Sequence, residues 1–179
     1  MTTSNRSLDW GRKVISASVM SMVLFLPGSV WAETEAGLKA AFVYNFTKYV
    51  TWPAAAEQQG GSLLLCVVGQ PASKALLSLK GRKVRAFHLD VAELKSDADL
   101  SHCHILYVNS RKSILDLDAF SHRAMLTIGF SETFLSQGGM IQLYQEKRRL
   151  RFNINNGRAK QAHLKISAKL LLLAGKVLR

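Results

Sequence analysis

Between Gly138 and Leu178 the chain sets out, in order, a glycine turn, two apolar strands and the longest apolar helical pattern it contains, and the rest must supply what that run buries. Met140 to Tyr144 reads as a strand, Gln145 to Arg148 as a polar, basic tip, and Leu150 to Asn155 as a second strand. In the second strand Leu150, Phe152 and Ile154 alternate with Arg151, Asn153 and Asn155, the period of two expected of a half-buried strand. The tip makes the pair a β-hairpin. Asn155 and Asn156 are good helix N-caps, because a short side-chain oxygen can take one of the unpaired N–H groups of the first turn. Beyond them, at about 3.6 residues per turn, Ile166, Leu170, Leu173, Ala174 and Val177 share one face. Leu164, Leu171 and Leu178 widen it past a half-circle, so the spacing predicts one long, mostly buried helix ending near Leu178.

A second constraint comes from Leu63 to Gly69, an apolar run bounded by turn residues. It reads as a strand covered on both faces, hence central in a partly parallel sheet. Around it the pattern gives a helix from Glu33 to Thr51 ended by Trp52 and Pro53. It also gives a loop from Ala54 to Ser62, a short helix from Ala72 to Leu79 opened by Pro71, and a weak strand from Val84 to Leu89. Further on come a strand through Ile105 to Val108, a helix from the N-cap Ser113 through Phe120, a strand from Met125 to Phe130, and a turn of helix from Ser131 to Leu135. On the first helix Leu38, Ala41, Phe42, Asn45, Phe46, Tyr49 and Trp52 share a face, predicted to be core, with Asn45 bonded to a neighbouring backbone and Tyr44 off that face. The order implies an α/β fold: one compact domain, a mixed β-sheet flanked by helices, and a C-terminal β-hairpin plus long helix.

The 24 Lys and Arg against 12 acidic residues give a net charge of +12, which raises the question of nucleic acid. The N-terminus answers it: Arg6, Arg12 and Lys13 precede an apolar run from Val14 to Leu26, broken by Pro27 and Gly28 and closed by Val30, Trp31 and Ala32. That is the pattern of a secretory signal peptide, too short to span a bilayer, which takes about 20 residues. Residues 1–32 are therefore read as a leader cleaved after Ala32, and residues 33–179 as the mature domain. Losing Arg6, Arg12, Lys13 and Asp9 leaves 21 basic and 11 acidic residues. Export argues against a nucleic-acid partner and leaves an anionic membrane surface, a cell-wall polymer, an acidic protein face, or simple solubility as reasons for the charge.

No chemistry-bearing motif stands out. Gly69 follows a strand and precedes a helix, yet neither a G-x-G-x-x-G run nor a P-loop lysine can be written there. His102 and His104 share a side of one strand without a third ligand at recognisable spacing, so no metal is expected. No G-x-S-x-G elbow, H-E-x-x-H pair or paired carboxylates are present. The reading is of a protein that is not an enzyme and needs no cofactor. Cys66 and Cys103 are the only thiols; an even count in an exported chain favours a disulfide over two free thiols. The 38 residues from one to the other put the chain-entropy ceiling of such a bond at about 4 kcal/mol. No C-x-x-C exists to support thioredoxin-like activity.

Three pieces together carry a resemblance: Lys39 to Phe46 with Trp52 and Pro53; Gly138 to Ile141 with Arg151 to Asn155; and Lys165 to Leu171 with Leu173 and Ala174. In that order and spacing they resemble the YfiR family, across nearly all of residues 36–175. The resemblance implies an exported, periplasmic α/β protein. It further implies a regulatory partner, the periplasmic domain of an inner-membrane diguanylate cyclase, whose restraint lowers cyclic di-GMP and biofilm formation. It also places Cys66 and Cys103 at positions that are disulfide-linked in the family's typifying member. The chain departs from the family in having Asn153 where Glu is common, His163 where a small residue is common, and no second cysteine pair in the hairpin.

On the expected long helix Arg158, Lys165, Lys169, Leu172, Lys176 and Arg179 fall within about 80° of one another, which leaves Leu172 a lone large apolar residue among cations. An exposed leucine is commonplace; the alternative is a contact surface, either a homodimer seam or a docking face, with Lys165, Lys169, Leu172 and Lys176 as its partner-binding residues. A binding regulator is the leading function class. A periplasmic small-ligand binder, with the aromatic helix bordering a pocket, is the alternative.

Overall fold

The computed structural model describes residues 28–54, 61–112 and 114–179. Helix α1 (Gly28–Tyr49) runs straight into the two-residue strand β1 (Val50–Thr51). Strand β2 (Ser62–Gly69) follows, then the single turn α2 (Lys74–Leu77), the short β3 (Lys83–Val84), β4 (Phe87–Leu94) and β5 (Ile105–Asn109). A 3-10 turn at Asp118–Phe120 precedes β6 (Leu126–Gly129), β7 (Ile141–Glu146) and β8 (Arg149–Asn155). The chain closes with α3 (Asn156–Gln161), β9 (Lys165–Ile166), α4 (Ala168–Leu173) and β10 (Val177–Leu178).

β2 offers an apolar side chain to both sides, and the sheet forms around it as expected. The eight strands lie in the order β10-β8-β7-β6-β5-β2-β4-β3. β4, β2, β5, β6 and β7 are mutually parallel, β3 is antiparallel to β4 and β8 to β7, and β10 runs parallel to β8. The chain leaves β2 toward β4, then returns past β2 to lay down β5, β6 and β7, so the winding reverses between β2 and β5. At that reversal Gly69 has φ +98°, and a Cβ there would stand 2.9 Å from the Asn109 carbonyl oxygen. Only glycine fits so close an approach.

The hairpin forms between β7 and β8 as expected, and its register sets Phe152 opposite Leu143 and Ile154 opposite Ile141. Its tip is just Lys147 and Arg148, both at positive φ, the two-residue turn whose twist matches the strands. Asn155 caps α3, its Oδ1 accepting from the Arg158 N–H at 3.1 Å.

The long C-terminal helix is not formed. α3 stops at Gln161, and His163 turns the chain at φ +58°. Lys165 and Ile166 then pair with Thr51 and Val50 as β9. Ser167 caps a new helix, its Oγ accepting from the Leu170 N–H at 3.3 Å, and after α4 the chain pairs with β8 as β10. The leucine-rich run satisfies a helical period, but strand pairing at both ends gives its backbone groups partners in another conformation, and tertiary context outweighs propensity. Leu173, assigned to the core on that helix, is 67% exposed.

The buried face of α1 also differs from the expected one. Ala40, Val43, Phe46 and Thr47 are buried, whereas Leu38, Ala41, Asn45 and Tyr49 are exposed. Small and β-branched residues lie nearest the sheet, and the aromatic residues reach it at one edge: Phe42, Phe46 and Phe152 pack edge to face at 5.0–5.9 Å between centroids. Asn45, being exposed, needs no internal bond. α1 starts at Gly28, before the expected mature terminus Glu33, and ends two residues earlier than the wheel suggested. Residues 1–27 of the expected leader, most of the Ala54 to Ser62 loop and the expected N-cap Ser113 lie outside the described residues. From Ile114 to Leu117 there is no helix, and the segment is irregular up to the 3-10 turn.

Two clusters fill the molecule. The larger lies between the sheet and the helices, with Phe46, Leu65, Tyr107, Ile128, Ile141, Ile154 and Leu170 among its members. The smaller covers the opposite face, where Cys66, Val68, Leu106 and Phe134 pack under irregular segments.

Candidate docking face and sheet-end cavity

The expected partner-binding residues are dispersed by the break in the C-terminal segment. Lys165 sits on β9, Lys169 and Leu172 on α4, and Lys176 in the turn before β10. Arg158 turns away altogether and pairs with Asp118, tying α3 to the 3-10 turn. Lys169 and Leu172 do keep their relation, three residues apart on one helix face. α4 buries Leu170, which is 3% exposed, and presents Leu172 at 85% and Leu173 at 67%. The Ser167 N–H donates to the Tyr49 carbonyl at 2.9 Å and the Gly175 N–H to the Phe152 carbonyl at 2.9 Å, so both ends of α4 are fixed by backbone bonds. Two adjacent large leucines are thus held out on a short, rigid helix. The wheel found Leu172 and missed Leu173, because it assumed an unbroken helix.

Cys66 and Cys103 are bonded, with Cα atoms 5.8 Å apart. Cys66 is in β2, and Cys103 lies just before β5, its neighbour. The bond is buried under the irregular face of the sheet. His104 has a structural role: its Nδ1 accepts from the Leu64 N–H at 3.1 Å, and its carbonyl accepts from Trp52 Nε1 at 3.3 Å. Among the described residues no cluster of His, Cys, Asp or Glu could hold a metal ion. Nor is any helix among them long and apolar enough to cross a membrane.

Ligands of open α/β sheets collect outside the carboxyl ends of the strands near the point where the winding reverses. Here that end carries a cavity of about 710 Å³ lined by Glu35, Arg111, Lys112, Phe130, Tyr144 and Leu150, among others. A smaller one of about 240 Å³ lies beside it, against Ser73, Tyr107 and Asn109. Glu35 lines both. Its carboxylate is 2.7 Å from Lys39 Nζ; that hydrogen bond holds the carboxyl below its usual range, and Arg111 adds to the effect. Lys39 Nζ also lies 4.3 Å from the Phe130 ring centroid, over its face. Burial pushes the Tyr107 phenol up, so it stays neutral near pH 7. Arg111 and Lys112 are in no ion pair among the described residues. Sequence reasoning missed this end of the sheet, since its residues come from segments far apart in the chain with no spacing to link them.

A family model described as YfiR/HmsC-like matches residues 36–175 of the chain. No curated protein matches it.

Proposed function

The chain belongs to the YfiR/HmsC-like family of periplasmic regulators, and from that premise we propose that it acts by docking on the periplasmic domain of an inner-membrane diguanylate cyclase and restraining it. Cyclic di-GMP and biofilm formation would fall as a result. Residues 1–32 serve as the export signal in this reading. The Cys66–Cys103 bond supports it, because such bonds persist in oxidising compartments. To restrain its partner the protein must bind the inactive state more tightly than the active one; equal affinity, however strong, would shift nothing.

The observation that carries the docking site is the exposure of Leu172 and Leu173 on α4, beside Lys169. Apolar anchors ringed by cations suit a partner face with an apolar centre and an acidic rim. Lys165 and Lys176 lie at the two ends of this segment and would tune on-rate and salt dependence more than affinity. The test compares Leu172→Asp with Leu170→Ala. Leu170→Ala should cost about 2–5 kcal/mol of stability by leaving a cavity. Leu172→Asp should leave the melting temperature unchanged while abolishing capture of the cyclase's periplasmic domain and raising cyclic di-GMP. Capture and cyclic di-GMP both unchanged in Leu172→Asp would reject this face. The same comparison, read by size-exclusion mass, tests a homodimer seam.

The sheet-end cavity favours a second reading, as a small-ligand binder whose occupant biases docking. A thermal-shift screen of small organic acids and phosphates, with Arg111→Ala as the control, checks it.

A further inference from the structure

The carboxyl end of α1 gathers more positive charge than any fold requirement explains. Lys48 Nζ stands 4.8 Å from the Tyr44 ring centroid and the Arg82 guanidinium 5.5 Å from the same ring. The Tyr44 hydroxyl donates to the Lys83 carbonyl at 2.9 Å, which brings the β3 strand against the helix. Arg85 donates through Nη1 to the Val50 carbonyl at 3.2 Å and to Thr51 Oγ1 at 2.9 Å. Lys165 is directly opposite Thr51 in the β1–β9 pair, and opposed residues of two strands project to the same side. Four cations from three separate segments, Lys48, Arg82, Arg85 and Lys165, therefore converge, and all four residues are exposed; Lys83, alternating with the buried Val84, projects to the other face of the sheet. None is in an ion pair among the described residues, and Asp90, on the same sheet edge, is held by Lys80 at 3.3 Å.

Like charges gathered on one exposed surface raise its attraction for an anionic partner. The four spread over a helix end, a strand edge and a two-stranded ribbon, and they line neither cavity described above, so the complement is an extended anionic plane rather than a small ion. Tyr49, exposed at the same helix end, is the kind of side chain that settles at the level of lipid headgroups, apolar ring inward and hydroxyl in water. We propose that the carboxyl end of α1 docks on the anionic headgroups of a phospholipid bilayer through Lys48, Arg82, Arg85 and Lys165, with Tyr49 at its rim. The site shares the periplasmic setting of the docking reading but only Lys165 of its residues. Pure lipid contains no cyclase, so failure here leaves that reading standing.

The test is co-sedimentation of the disulfide-bonded protein, residues 33–179, with vesicles of phosphatidylglycerol and phosphatidylcholine in equal parts, against phosphatidylcholine alone. A basic residue near an anionic surface is worth roughly fivefold in partitioning. Arg82→Gln with Arg85→Gln should therefore weaken binding to the anionic vesicles about twenty-fivefold. Lys74→Gln with Lys95→Gln, which removes the same charge from exposed positions elsewhere, should weaken it less than about threefold. If the first pair lowers the melting temperature, Lys48→Gln with Lys165→Gln is read in its place. Equal losses from patch and control pairs would mean that net charge alone does the binding and would overturn the site, as would anionic vesicles bound no better than neutral ones.

Discussion

The two faces of the sheet are closed by different means. On one, α1, α2, α3 and α4 lay side chains onto β2, β5, β6, β7 and β8, and the aromatic trio of Phe42, Phe46 and Phe152 locks one margin. On the other, Leu100, Leu117 and Phe134 come from turns and irregular segments, and the Cys66–Cys103 bond lies among them. A helix brings several side chains to a surface with its own backbone hydrogen bonds already made; an irregular segment must find partners elsewhere and restrains itself less. The bond sits where the covering structure is weakest, and the face that helices cover has none.

This contrast can be broken at several points. The largest effect is expected from Phe46→Ala, which should cost about 3–5 kcal/mol in chemical denaturation, because Phe46 is fully buried between helix and sheet. Replacing Cys66 and Cys103 together by Ser should cost up to about 4 kcal/mol, and limited proteolysis should then open residues 100–120 before α1. If α1 were cut first, the bond would not be what restrains the irregular face. Gly139→Ala should cost about 1–3 kcal/mol, since its Cβ would overlap the Phe134 ring and lie 2.6 Å from the Phe134 carbonyl oxygen; Phe134→Leu on the same background should recover part of the loss.

The smallest effect concerns the helical face and acid. Glu35 has its folded-state pKa lowered, chiefly by the Lys39 hydrogen bond. Its contribution is therefore present above the ordinary carboxylate pKa and is lost as pH falls through the lowered one. Glu35→Gln should lower the neutral-pH melting temperature slightly, leave the acid end unchanged and so flatten the acid limb, the effect being small because the Glu35 side chain is 45% exposed.

The same contrast explains what could be read from the chain alone. Leu63 to Val68 announced a central strand because few structures other than a doubly covered strand suit six apolar residues between turns. The β7–β8 hairpin was legible from its alternation, and the Asn155 cap from its chemistry. The C-terminal break was not, because Leu170 to Leu173 offers an apolar residue to any period that is tried; Ser167 was the available hint, a cap residue inside a supposed helix. The turn of α1 was misjudged for a related reason: a wheel weighs Leu38 and Tyr49 above Ala40 and Val43, whereas close approach to a sheet favours the smaller side chains. The cationic end of α1 and the sheet-end cavity join residues far apart in sequence, and no spacing rule reaches across that distance. Among the docking residues Leu172 stood out by its neighbours, although the helix invoked to place it does not exist.

The position of the disulfide has a practical side. Between Cys66 and Cys103 lie α2, β3 and β4, including the exposed turn at Arg85 and Ala86, with the exposed Arg82 and Lys83 just before it as further trypsin sites. A single cut in that turn severs the chain yet releases nothing, since each fragment still holds one end of the bond. On a gel without reductant the nicked protein would run near its intact mass, and with reductant it would separate into two pieces. Damage at the cationic edge is therefore invisible to any assay that leaves the bond intact, and preparations should be compared with and without reductant before their binding is measured.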